Sequence, residues 1–438
     1  MHRDHVADKV ASHVNAALWV YALLVVLITS TSWAIYWRTG DFLTRPLFGA
    51  DNQFHDLTDY AGKTAHLYHG STVLGRGLPQ YNYPAPAAFV YKILIYTFPG
   101  HAVRTYLTLL AICVLCFALV AWRAGQPTRE VRYSAAAAVI TTAILSYPLW
   151  YDATLGNIEW IMWSLAAAGL CYLLRARYSA AAVLIGLSAC IKPFSMLFLL
   201  LLLRRKKNKQ ALLGVATAGL VMLAALTALG PNPWKAYQNL KPGITIYTRD
   251  YVMNLRPVDE ERFLHSLFDG MKSNALTIEM GGFRPHKAVL DVPILRAEPG
   301  GWHVVRTLLH VYPFVAITGF GLLLTVFYRM PILNQLTALA VAVTLFPPSA
   351  ADYTLLHLYL PFGAFLVFLT REVAIGKAIF PYSSMLALSV IYALLFSPLT
   401  FLMIYAGDAK LLLLLALLFV AARSPMPCTY FGDPQTTG

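Results

Sequence analysis

An all-α, polytopic membrane fold is what this sequence predicts, and three observations predict it. Of the 438 residues, 58% are hydrophobic and 13% charged, where a soluble chain of this size carries about 25% charge. The apolar residues gather into runs long enough to cross, or nearly cross, a lipid bilayer. The basic residues sit in short clusters between those runs, so the net charge of +13 reads as a topology signal, and no nucleic acid partner is expected.

The elements follow in chain order. Residues 1–15 are polar. The run 16–37 is longer than a signal-peptide core and lacks a small-residue cleavage motif, so an uncleaved first transmembrane helix is expected. Residues 39–101 form a first outer loop; within it the stretch from Tyr83 to Gly100 carries Lys92, is short for a crossing, and is expected to lie along the interface. Further apolar runs fall at 102–122, 133–148, 158–174, 211–230, 303–328, 331–348, 355–370, 378–397 and 409–422, giving about ten crossings in all. A short polar stretch, 149–157, and a long loop, 231–302, reach the same side as 39–101. Aromatics, charges and prolines at suitable spacing predict short amphipathic helices in both long loops. The whole of 1–438 reads as one transmembrane domain.

Orientation comes from Arg3 and Lys9, from Arg123, Arg129 and Arg132, from Arg175 and Arg177, from "RRKKNK" at 204–209, and from Arg329, Arg371, Lys377 and Arg423. All fall on one side, which positive-inside logic makes the cytoplasm, together with the N-terminus. Most of the acids then lie on the outer face. The run 178–203 is flanked by basic residues at both ends, so a single crossing would carry "RRKKNK" outside. Proline breaks a helix, and the residue before it is pushed out of helical dihedrals. Two re-entrant half-helices with Lys192 at the turn are therefore expected.

Chemistry is concentrated near the outer ends of the runs. In "FHDLTDY", Asp56 and Asp59 stand three apart, one helical turn, so both can face one way. A carboxylate beside apolar walls holds its proton more tightly than in water, which suits a general base; solvated loop acids or a helix cap would look the same in sequence. An unpaired cation at the bilayer depth of Lys192 costs about 2.5 kcal/mol or more, so an anionic partner is expected, either a lipid phosphate or a structural acid. His357 either donates to a phosphate or satisfies a buried carbonyl. Glu159 either binds a sugar hydroxyl or answers the dipole of its own helix. Arg256, His265 and Lys272 lie in the most polar part of 231–302, in reach of a phosphate or glycan or on a solvated helix face.

The five cysteines form no ligand-like array with histidine, so neither a disulfide framework nor a metal site is inferred. No P-loop or Gly-rich dinucleotide motif occurs, and no cofactor is expected. Any activated substrate must then arrive through the membrane or down a gradient.

"DLTDY", "YNYPAP", "LGNIEW", "LIGLSACIKP", "HSLFDGMKS" and "ADYTLLHLYLP", in that order over roughly residues 50–365, resemble the pattern of glycosyltransferase family 87, a branch of the GT-C superfamily of integral-membrane enzymes. The resemblance implies a GT-C-like bundle in a bacterial inner membrane. It also implies an inverting transfer of a hexose, mannose foremost, from a polyprenyl-phosphate sugar donor to a lipid-linked or cell-envelope glycan acceptor on the outer face. It makes Asp56 the general base with Asp59 as its substitute. Lys192, His357, Arg256 and Lys272 are assigned to the donor phosphate, and Tyr60, Tyr83, Asn157, Glu159 and His265 to substrate. The membrane lipids themselves are the remaining partner. "YNYPAP" departs from the commoner Tyr-Pro-Pro, and no Ser-Trp pair precedes His357. A polytopic transporter or lipid flippase is the alternative, but it calls for charges at the midplane on paired broken helices, whereas here only one broken segment occurs.

Overall fold

Proline and glycine set many of the helix ends in the computed structural model, which describes residues 2–39, 53–58, 83–248, 252, 264–279 and 303–432. In chain order the helices are α1 (His2–Thr39), α2 (Ala85–Thr97), α3 (Ala102–Gly125), α4 (Arg132–Leu145), α5 (Tyr147–Leu155), α6 (Glu159–Leu174), α7 (Tyr178–Ile191), α8 (Leu200–Arg204), α9 (Asn208–Leu229) and α10 (Pro233–Tyr247). They continue with α11 (Leu267–Glu279), α12 (His303–Phe327), α13 (Ile332–Leu345), α14 (Tyr359–Phe368), α15 (Tyr382–Leu395) and α16 (Ala406–Arg423). Short 3-10 helices at Pro193–Leu199 and Asp352–Leu358 lead into α8 and α14. Among the described residues the β pairing is an isolated antiparallel bridge between Leu264 and Ala351, so the all-α expectation holds.

Among the described residues six spans are long and apolar enough to cross a membrane: Lys9–Ile35, Ala102–Gly125, Arg132–Leu155, Asn208–Leu229, Val304–Phe327 and Asp352–Val373. Shorter apolar helices, among them α2, α6, α7, α13 and α15, complete the bundle. Every residue of α13 and α14 is buried, as befits helices that are apolar all round. The outward faces of α1, α3, α9 and α12 leave Leu27, Leu115, Leu220 and Ile317 exposed, the surfaces on which lipid would lie.

The polar stretch 149–157 is not the loop that its composition suggests. Pro148 cannot donate to the Ile144 carbonyl, so α4 ends and α5 restarts at once. The Trp150 indole takes that carbonyl instead, at 2.6 Å. The polar character of the stretch is internal, since Asp152 is fully buried.

At Lys192–Pro193 the chain reverses. Lys192 is extended, with φ −137° and ψ 115°, as a residue before proline should be. The 3-10 segment and α8 then return toward the start of α7, and Lys207 Nζ lies 4.8 Å from the Tyr178 ring. Close approach of α7 and α9 depends on glycine, because a Cβ on Gly186 would stand 2.4 Å from the Gly214 carbonyl oxygen. Arg205 donates to the Phe431 carbonyl at 2.8 Å and Arg371 to that of Ala124 at 3.1 Å. Several basic clusters thereby meet at one end of the bundle, opposite the polar site described next.

Candidate active site

A glycine with a left-handed backbone builds the site. Gly156 ends α5 at φ +70°, and a Cβ there would sit 2.8 Å from Leu57 Cβ and 3.2 Å from Phe54 Cα. Glycine therefore meets both demands, positive φ and close approach. The helical turn at 55–58 packs into this space, with the Phe54 amide donating to the Thr154 carbonyl at 2.6 Å and Leu57 fully buried. That docking carries Asp56 to the residue following Gly156.

Asn157 is the junction. Its Nδ2 donates to Asp56 Oδ2 at 2.6 Å and to the Tyr83 hydroxyl at 2.7 Å, while its Oδ1 accepts from the Glu159 amide at 3.1 Å. All three amide hydrogen-bonding functions point at functional partners, and the side chain is fully buried. From below, the Tyr106 hydroxyl lies 2.7 Å from the Asn157 carbonyl oxygen and 3.3 Å from Asp152 Oδ2.

Two residues further on, Glu159 binds a lysine and a histidine. One carboxylate oxygen pairs with Lys192 Nζ and the other with His357 Nε2 at 2.9 Å. Glu159 and His357 are each 1% exposed at the side chain, whereas Lys192 keeps 21%. Lys192 Nζ also lies 4.5 Å from the Tyr353 ring centre and 5.7 Å from that of Tyr83, cation–π contacts that stabilise a partly desolvated ammonium.

These groups form the polar end of a cavity of about 490 Å³. Tyr83, Glu159, Lys192, Tyr353, Thr354 and His357 line that end, while Met222 and Leu226 of α9 and Leu240, Ile244 and Tyr247 of α10 give it an apolar flank. Asp56 adjoins the cavity through Asn157 and Tyr83. One polar end and one greasy flank suit an amphiphile with an anionic head.

His265 and Lys272 fall in a separate network. His265 Nδ1 lies 3.2 Å from Asp352 Oδ1, whose Oδ2 is 2.5 Å from Lys410 Nζ. His265 Nε2 bonds the Thr354 hydroxyl at 3.2 Å, and Lys272 stands 3.8 Å from Asp269. Asp269 in turn accepts from Ser266 and from the Ala350 amide. This network clamps α11 to the 3-10 helix bearing Tyr353, Thr354 and His357, so it touches the cavity through Thr354 alone of its members.

Of the residues singled out by sequence, Asp56, Tyr83, Asn157, Glu159, Lys192 and His357 come together here. Asp59, Tyr60 and Arg256 lie outside the described residues. The anionic partner expected for Lys192 is Glu159. Three contributors were missed, Tyr106, Asp152 and Tyr353, and so was the Asp352–Lys410 pair of the separate network. Lys410 did carry a signal, a lysine at the head of an apolar run, where an ionisable group calls for a partner. Tyr106 and Tyr353 look in sequence like any apolar-run aromatic.

Residues 81–256 match the family model of glycosyltransferase family 87. The match takes in Tyr83, Asn157, Glu159 and Lys192 and stops short of Asp56 on one side and His357 on the other. No curated protein matches the chain.

Proposed function

We propose, from the premise that the chain belongs over residues 81–256 to glycosyltransferase family 87 and is a membrane glycosyltransferase, that it moves a hexose from a polyprenyl-phosphate sugar to a lipid-linked or cell-envelope glycan on the outer face. Mannose is the hexose put forward. The observation that carries this reading is the pairing, two residues apart on one turn, of Asn157 with Asp56 and of Glu159 with Lys192 and His357. A carboxylate on one side, and a lysine with a histidine on the other, thus flank the polar end of a cavity whose flank is apolar.

In the proposed reaction the acceptor hydroxyl oxygen attacks the anomeric carbon. Its bond to that carbon forms as the bond to the phosphate oxygen breaks, with inversion. The hydroxyl proton passes to the Asp56 carboxylate, and the bonding pair leaves with the polyprenyl phosphate. Lys192 and His357 stabilise the charge that develops on that leaving group. Asn157 leaves Asp56 Oδ1 clear of its own amide bond, since it donates to Oδ2. Glu159 engages both Lys192 and His357 in the structure described, and a donor phosphate would share or displace it. Burial of the polyprenyl chain along α9 and α10 would hold the sugar at the polar end.

The test is transfer from polyprenyl-phosphate mannose to membrane acceptors by purified protein carrying Asp56→Asn, with Asp59→Asn as its companion. The expected result is a loss of at least about 100-fold for Asp56→Asn, the scale of a general base, with unchanged thermal unfolding. Full turnover by that variant removes Asp56 from the role, and loss confined to Asp59→Asn transfers the role to Asp59.

A further inference from the structure

A second cavity, of about 300 Å³, lies at the basic end of the bundle. It is distinct from the candidate active site: α6 begins at Glu159 in one and ends at Leu174 in the other, and its 16 residues separate them by about 24 Å. Three helices build it with the same spacing. α3 contributes Phe117, Val120, Ala121 and Ala124, the i, i+3, i+4, i+7 stripe of one helix face. The same stripe recurs from Ala167 to Leu174 on α6 and from Leu360 to Val367 on α14. Three parallel stripes of seven residues' rise enclose a slot about 10 Å long that runs along the helix axes. Its walls are apolar, and a smaller void sharing Phe117, Ala121 and Gly363 continues it toward the centre of the bundle.

The slot is closed below by the C-terminal segment. Tyr430 and Phe431 line it, and they are held there by Arg371, stacked 4.8 Å over the Tyr430 ring, and Arg205, bonded to the Phe431 carbonyl. Arg175 is the charged side chain in the lining and is exposed. Val120, at the edge, is exposed too, so the slot is accessible from beside α3.

We propose that this slot binds one anionic phospholipid from the leaflet at the basic end, with an acyl chain between α3, α6 and α14 and the phosphate at Arg175. An apolar slot parallel to the helices fits a hydrocarbon chain, which lies along the same direction in the bilayer. A guanidinium at its mouth matches a phosphate in charge and in fork geometry. Free phosphate has no use for the apolar walls, so the occupant is a lipid and not an ion. Bound there, the lipid ties the C-terminal segment to the bundle.

The test uses the full chain in nanodiscs of phosphatidylcholine containing a trace of phosphatidylglycerol with a photoactivatable acyl chain, followed by peptide mapping of the adducts. Adducts are expected on 117–124, 167–175 and 360–367. They should be enriched about five-fold over those from an identically labelled phosphatidylcholine probe, the factor that one arginine near a lipid phosphate is worth. Arg175→Gln should abolish that enrichment, and Ala121→Phe, which fills the slot, should remove the adducts from 167–175 and 360–367. Adducts spread evenly over exposed apolar faces, such as Leu212 and Leu220 on α9, would mark ordinary boundary lipid and overturn the proposal. Equal labelling by the two probes would overturn the assignment to an anionic lipid. Because the primary measurement is on the unaltered chain, a variant that fails to fold does not affect it.

Discussion

Two clusters in this protein have the same composition, one carboxylate with one lysine and one histidine, and they differ in what surrounds them. Glu159 with Lys192 and His357 forms part of a cavity wall, and Lys192 retains 21% side-chain exposure. Asp352 with Lys410 and His265 has no exposed side chain at all. In the first, the lysine faces a space large enough to hold an anion, which is what the proposed donor site requires. The second has nowhere to put a ligand, and its charges can only hold α16, α11 and the 3-10 helix of His357 together. Identical chemistry therefore separates into a site and a clamp by access alone.

The largest effect that would break this comparison is on the clamp. Asp352→Ala leaves Lys410 buried without its carboxylate, and the expected loss is about 3–5 kcal/mol of stability, read as a lowered unfolding temperature in detergent. A stability loss no greater than that from removing an exposed acid such as Glu130 would deny the pair its structural role. Next comes the site: Lys192→Met should lower transfer by about 100- to 1,000-fold, the scale for removing one donor to a developing anion, with a smaller thermal shift than Asp352→Ala. A matching thermal loss would make Lys192 a clamp as well.

Gly156→Ala sharpens the same contrast from the backbone side. It combines a left-handed φ of +70° with a Cβ only 2.8 Å from Leu57, and strain of about 1–3 kcal/mol is expected. The turn carrying Asp56 should undock while the helices persist, which chymotrypsin cleavage at Phe54 and Leu57 and far-ultraviolet dichroism would separate. The smallest effect belongs to His265→Ala, which removes a hydrogen bond to Thr354 and a partner of Asp352. A loss of about 1 kcal/mol in stability with transfer retained within a few-fold is expected. A much larger fall in transfer would place His265 in the site after all.

Three of the six candidates that meet in the fold have a local reason to do so: Asn157, Glu159 and His357 lie at the ends of apolar runs, Lys192 lies at the break in one, and Asp56 and Tyr83 reach the same bundle face from the first loop. Composition and basic clustering were enough for an all-α membrane fold, and Pro193 was enough to break the 178–203 run. What the sequence left unresolved has one cause, since a polar residue inside the bundle looks in sequence like a polar residue in a loop. Asp152 in α5 made 149–157 look like a loop, although Pro148 and the Trp150 indole simply restart the helix there. The sequence set His265 beside substrate and Lys272 beside the donor phosphate, and it could not show that the Asp352 and Asp269 carboxylates engage them.

What the sequence determined by itself was what depends on near neighbours: helices from apolar content, the break from proline at 193, and the family pattern now matched over residues 81–256. Tertiary structure alone decided which charges meet. Glu159 and His357 are 198 positions apart, and Asp352 and Lys410 are 58 apart. Pairings at such separations are set by packing of helix faces, and in a medium of low dielectric it is the packing that tells a charge whether it faces a partner or a cavity.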